Sequence, residues 1–331
     1  MRSTYFQYTL LLSSFFLTLT GCVKDKDYEV PVAKNELQND CIKRTLGPNM
    51  VGQNIEFAYA MALPAGRGKI VSAQVDASIA GAPETYLENK SYYTNGSTGN
   101  DVGISIGDPS VNKEASTTVT FTKDTNAVTL RYFYRIPEAA RGQTVKFTFT
   151  AKSSNGETVT YSMGPYTISK MDMKLDLRVK DGDSCYLSLA DMKVYNAADA
   201  AANADKIDLV YLYRAMPTVT FAHALVSPGS NPEYLPGVTL PANVNRRTKI
   251  SKVWDLRDFN LARLQYGIYI DDVDFVQRDL STAPDYAINL KKEAGAWVET
   301  ADGKYRGYVF INLTDDKNKL AVISIKRYAM K

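Results

Sequence analysis

An all-β fold with minor helix, built as two β-sandwich domains, is what this sequence predicts. Three observations carry that expectation: apolar residues alternate at period two through much of residues 55–163, turn-forming residues punctuate those runs, and helix-length periodicity is scarce. The chain has 331 residues, 45% hydrophobic and 23% charged, a composition typical of globular proteins. At roughly 100–200 residues per domain, the part beyond the opening segment is long enough for two cored domains.

The opening residues read as a signal peptide over 1–21. Arg2 supplies a charge, Tyr8 to Leu19 an apolar stretch, and Leu19-Thr-Gly-Cys22 small residues at a cleavage point. That stretch is shorter than the roughly 20 residues a bilayer span needs. Leu19-Thr-Gly-Cys22 resembles the lipobox of bacterial lipoproteins, which implies that Cys22 is acylated and becomes the N-terminus. Val23-Lys-Asp-Lys-Asp27 is similar to the charged export tag of Bacteroidetes surface lipoproteins, which implies an outer-membrane, cell-surface location. Residues 22–40 are then a lipidated N-terminus and polar tether. The remaining body is expected to be soluble, since no later run approaches about 18 apolar residues.

Residues 41–170 predict the first sandwich. Ile55, Phe57, Tyr59, Met61 and Leu63 alternate with polar or small residues, as do Val71, Ala73, Val75, Ala77 and Ile79. The pattern returns at Val119 and Phe121, at Val128 to Ile136, and at Val145, Phe147 and Phe149. Such runs describe strands with one face on a core. Asn155-Gly156 followed by Val159, Tyr161 and Met163 predicts a hairpin, because both turn residues tolerate positive φ. Short strands with these turns suggest an immunoglobulin-like sandwich of unfixed strand order.

Residues 171–331 predict a second β-rich domain. Its parts are a turn at Asp181-Gly-Asp183, an Ala-rich helix within Asn196 to Lys206, and a buried strand Ile207 to Tyr213. The segment 215–249, with five prolines, reads as a surface excursion without sheet. Ser251 to Leu264 reads as a short helix capped by Ser251, with Trp254 and Leu261 facing inward. Tyr266 to Asp271, Gly307 to Leu313 and Leu320 to Tyr328 read as strands, the last two joined by a turn at Asp315 to Asn318.

The chemistry is sparse. A net charge of +3 with interspersed signs argues against nucleic acid as a partner. The single histidine, His223, excludes zinc-protease pairs and most triads, and is read as a satisfied structural residue. No phosphate-binding or dinucleotide motif is present, so no cofactor and no metal is expected. The carboxylates of Asp181-Gly-Asp183 and Asp271-Asp-Val-Asp274 could offer oxygens to calcium but are read as solvated turns. Cys41 and Cys185 are read as two buried thiols, with a bridge between them left open. Trp254 and Trp297 are read as core or domain-interface residues.

Tyrosines in expected loops are the most suggestive feature. Tyr86, Tyr92 and Tyr93 sit among amides and hydroxyls, and Tyr234 sits in Pro228-Gly-Ser-Asn-Pro-Glu-Tyr-Leu-Pro-Gly237. A sugar offers an apolar C–H face and a hydroxyl rim, which an aromatic ring beside polar groups matches. The four are the candidate ligand contacts.

The lipobox, tag, tether and two β-rich domains together resemble the SusE and SusF type of accessory surface lipoproteins in Bacteroidetes polysaccharide utilisation. The stretches Tyr186 to Tyr195 and Asp205 to Tyr213 also look like Bacteroidetes lipoproteins of unassigned function. The resemblance implies non-catalytic glycan capture beside outer-membrane transport partners, and no catalytic residue. Two alternatives stand beside it: a pilin-like structural or adhesive subunit that donates a strand, for which Leu320 to Tyr328 is the candidate, and a glycan hydrolase using a carboxylate pair.

Overall fold

The computed structural model describes residues 34–216 and 219–330. The signal segment, Cys22 and the tether up to residue 33 lie outside the described residues. The body that folds as one unit begins at Leu37.

The first sandwich has two antiparallel sheets. One orders its strands Gln38–Lys43, Asn54–Ala62, Ala127–Arg135 and Tyr86–Leu87. The other orders Thr158–Thr167, Thr144–Ser153, Ile70–Ala77, Ser116–Thr120 and Val111–Lys113. The inward-pointing residues of the alternating runs meet between them. Phe57 is the hub, with Phe147 and Phe149 at centroid distances of 4.9 and 5.3 Å and Tyr132 at 6.2 Å. Each such ring removed from water contributes about 2–3 kcal/mol. The Asn155-Gly156 hairpin forms as expected, with Gly156 at φ +90°.

One alternation is broken. Val71 is exposed, while Ile70 and Ala73 are buried. The pairing slips between Lys152↔Ser72 and Ser153↔Ile70, and this bulge turns Ile70 inward in place of Val71.

The second sandwich packs Met171–Lys180, Leu320–Ala329, Tyr305–Asp315, Ala294–Glu299 and Lys249–Trp254, in that order, against a sheet ordered Lys193–Tyr195, Tyr186–Ser188, Leu209–Met216, Val219–Val226 and Tyr286–Leu290. The first of these sheets is buried on both faces. Val309, Ile311, Ala321, Ile323 and Ile325 face the inter-sheet core, while Trp297, Tyr308, Phe310 and Tyr328 face a second core beneath Leu261, Ile270, Phe275 and Leu280. Cys41 and Cys185 are free thiols in the two separate sandwich cores.

Several expectations for this half are corrected. Val219–Val226 is a strand hairpinned to Leu209–Met216, so the Pro-rich excursion begins only after it. Lys249–Trp254 is a strand rather than the start of a helix; the helix is Phe259–Ala262, capped by Asp258, with Leu261 buried. Trp254 stands out from that edge strand, 53% exposed, under the Lys252 ammonium 4.4 Å from its ring centroid, whereas Trp297 is buried. Tyr266 to Asp271 forms no strand beyond the single bridge Ile268↔Asp258. Asp271-Asp-Val-Asp274 is the start of a helix, Asp272–Gln277, with Asp271 and Asp274 forming a reciprocal capping box. The Ala-rich helix forms at Ala197–Ala202, capped by Asn196.

Strand register fixes the ends of each sandwich. Leu37 N–H donates to Glu157 at 2.6 Å, at the end holding the Asn155-Gly156 turn. The opposite end meets the second sandwich: Lys170 N–H donates to Asp272 at 3.0 Å, and Arg141 pairs with Asp172 at 2.8 Å. From there Met171–Lys180 runs away from the first sandwich, pairing Met171↔Tyr328 at the near end and Lys180↔Leu320 at the free end.

Candidate functional site

At that free end of the second sandwich lies a cleft of about 650 Å³. Segments distant in sequence converge there: the turn after Met171–Lys180 with the strand that follows it through Tyr186, the strand stretch Tyr211 to Ala215, the Pro236 to Thr239 stretch of the Pro-rich loop, and Lys319 in the turn before the last strand.

Arg214 organises the walls. Its guanidinium donates to Asp181, to the Pro236 carbonyl at 2.7 Å and to the Tyr213 carbonyl at 2.7 Å, which ties the Asp181 turn and the loop to one strand. Both members of the Arg214–Asp181 pair are nearly buried. Asp181 is therefore not a solvated turn carboxylate. Asp183, more exposed, lies 3.7 Å from Lys180. No group of three or more His, Cys, Asp or Glu side chains among the described residues is arranged to hold a metal ion.

Aromatic residues form the floor. Tyr186 is buried with its hydroxyl 3.4 Å from the Thr239 carbonyl, and burial pushes its phenol up to about 12. Tyr213 is half-buried and its ring lies 4.7 Å from that of His223. Tyr211 is buried beside it; its hydroxyl lies 2.6 Å from His223 Nδ1, and His223 Nε2 lies 2.8 Å from Asp316 Oδ1. The carboxylate only accepts, so Nε2 donates to Asp316, while Nδ1 shares a hydrogen bond with the Tyr211 hydroxyl. Burial drives the Tyr211 phenol well above its ordinary range. All three phenols stay protonated near neutrality, and the hydroxyls of Tyr186 and Tyr211 are already engaged by the Thr239 carbonyl and His223. Cys185 also borders the cleft, but burial raises its thiol to about 11, leaving it inert.

The four tyrosines singled out in the sequence are placed differently. Tyr86 and Tyr92 lie in strands, Tyr86–Leu87 and Lys90–Thr94, rather than in loops. Tyr86 stacks on Phe133 at 4.8 Å, and Tyr92 covers the Arg131 guanidinium at 3.9 Å. Phe133 and Arg131 are two apart on one strand, so both rings lie on the same outer sheet face. Tyr93, next along its strand, points to the opposite side and is 51% exposed. Tyr234 stacks on Tyr286 at 3.8 Å and on Phe221 at 6.1 Å, next to the loop stretch that borders the cleft. The structure thus brings Tyr86 and Tyr92 together, separates Tyr93 from them, and puts Tyr234 in another domain. Tyr186 and Tyr213 were missed because each lies in a run that reads as core; the signal was the strand alternation that puts Tyr211 and Tyr213 on one face.

Two family models divide the chain: a domain of unknown function, DUF4466, matches residues 34–168, and another, DUF8576, matches residues 169–330. No protein of curated function matches the chain. Among solved structures, the chain is similar to a DUF4466 family protein from Parabacteroides merdae, with 48% identity and a TM-score of 0.82 over 90% of this chain and 100% of that one. A major pilin subunit of Bacillus cereus aligns at 8% identity and a TM-score of 0.28, over 86% of this chain and 66% of that one. A fragment of a major pilin of Streptococcus agalactiae aligns at 12% identity and 0.28, over 58% of this chain and 76% of that one. With nearly half its residues identical across the whole of the Parabacteroides protein, this chain belongs to the DUF4466 family.

Proposed function

We propose that this protein is a non-catalytic lipoprotein of the outer cell surface that binds carbohydrate in the cleft of its second sandwich. The observation that carries the reading is the cleft itself, whose half-exposed Tyr213 ring lies among Tyr186, Thr239 and the Asp181–Arg214 pair. Its volume falls within the roughly 300–1,000 Å³ of small-ligand sites. An aromatic surface beside hydrogen-bonding groups is the chemistry that meets both faces of a sugar. Leu19-Thr-Gly-Cys22 supports lipid anchoring at Cys22, and the SusE/SusF-type arrangement of anchor, tether and β-rich domains supports a place beside outer-membrane transport partners.

The strand-donating alternative has less support, because Leu320–Ala329 is hydrogen-bonded on both edges within its own sheet. The test is retardation of the mature chain, begun at Asp25, in native gels containing single polysaccharides. Retardation lost in Tyr213→Ala but kept in Tyr86→Ala, Tyr92→Ala and Tyr93→Ala supports the reading. Retardation lost only in the latter group moves the site to the first sandwich, and absence of retardation by every glycan sinks the proposal.

A further inference from the structure

We infer that the cleft selects an uncharged sugar and does not take uronic-acid or sulfated glycans; this rests on the carbohydrate reading above. Recognition of a sugar carboxylate or sulfate in a protected cleft calls for a guanidinium or ammonium with donors to spare, best presented as a planar fork. The only guanidinium bordering the cleft among the described residues is Arg214, and neither of its two-pronged edges is free, because Nε and Nη1, one on each edge, are already engaged. It donates to a carboxylate and two carbonyls, all from the walls it holds together, and its side chain is 13% exposed. An anion seated two-pronged on the Nη1 edge would have to displace Asp181, which is itself 10% exposed and would then be left without its partner.

The remaining charges do not favour an anion either. Lys319 is the one other cation bordering the cleft among the described residues, and it is exposed on a turn. Asp183 borders the same opening, so the local charges balance. What the cleft offers a ligand is the half-exposed Tyr213 ring, the exposed Thr239 side chain and backbone carbonyl oxygens, groups that pair with neutral hydroxyls and C–H surfaces.

The experiment uses native gels at low salt, which leaves charge attraction least screened. The mature chain is run against two neutral polymers, amylopectin and galactomannan, and two anionic ones, polygalacturonate and chondroitin sulfate. The expected result is retardation by a neutral polymer at least about tenfold stronger than by either anionic one. Comparable or stronger retardation by an anionic polymer, weakened in Lys319→Ala, overturns the selectivity while leaving carbohydrate binding intact. Retardation by none of the four overturns the inference, and extending the panel to further glycans without success overturns the functional reading with it.

Discussion

The Asp258 carboxylate and the Lys326 ammonium are 2.6 Å apart and wholly shielded from water. Asp258 also accepts from Leu261 N–H at 2.9 Å and Ile270 N–H at 2.8 Å, while Lys326 donates to the Ile270 carbonyl at 2.8 Å. One carboxylate thus caps the Phe259–Ala262 helix, holds the irregular strip around Ile270, and neutralises a lysine on the outer face of the last strand. Asp258→Ala should destabilise the protein by about 3–5 kcal/mol, since it strands a buried ammonium. Lys326→Met should cost less, because Asp258 keeps both backbone donors. Urea unfolding of the two variants checks the order, and equal losses would contradict it.

A second buried carboxylate gives a pH dependence. Burial pushes Asp208 up to about 6, against the pull of the Leu189 N–H and of Arg246. A carboxyl with a raised folded value holds its proton more tightly folded than unfolded. Its contribution to stability is therefore full in acid and lost as pH rises through about 6. Asp302, which shares Arg246 but is less buried, is shifted the other way, and its contribution is lost only in stronger acid. The stability of Asp208→Asn relative to the native sequence should rise between about pH 4 and about pH 7. Urea midpoints across that range that move in parallel would refute the assignment.

His223 should behave as a positioning residue for the cleft. His223→Gln keeps a polar side chain but cannot reproduce both ring-nitrogen contacts, to Tyr211 and Asp316. The expected outcome is roughly tenfold weaker glycan retardation, a loss of about 1.4 kcal/mol, with secondary structure retained by circular dichroism. Unchanged retardation would confine His223 to a packing role.

The thiols should be silent. Burial raises Cys41 to about 12 and Cys185 to about 11, so neither supplies thiolate at neutral pH. The mature chain begun at Asp25 should give no reaction with a thiol reagent when folded and two equivalents in urea. Rapid labelling of the folded chain would show an opening of one of the cores.

Gly47 sits at φ +76° with the Tyr269 ring packed where a side chain would begin. Gly47→Ala should combine backbone strain with a clash between the two sandwiches, costing about 1–3 kcal/mol. Differential scanning calorimetry should show a lowered transition; an unchanged one would mean that the ring moves aside freely.

The first sandwich was legible because its strands bury one face. Ile55 to Met61 and Val128 to Ile136 alternate without interruption, and the period itself names the structure. The second was harder, because Tyr305–Asp315 and Leu320–Ala329 are covered on both sides and read only as apolar runs. The material covering the outer face, residues 256–283, is held by caps and by one buried ion pair. Asp258 and Lys326 are 68 positions apart, beyond any local pattern. The cleft is a product of the same long-range pairing: the turn at Asp181 and the strand at Arg214 become neighbours only once the sheets close. Tyr86, Tyr92 and Tyr93 looked like loop residues because Tyr86–Leu87 is only two residues long and Lys90–Thr94 buries no residue fully.

The placement of Leu37 and the cleft at opposite extremes also has a mechanical meaning. The chain enters at the end of the first sandwich away from the second, and Gln38–Lys43 runs antiparallel to Asn54–Ala62 toward the junction. Ladder hydrogen bonds lie across the strands. On the function proposed above, tension along the entry strand between anchor and bound polymer would load its rungs together in shear, instead of peeling them apart one by one.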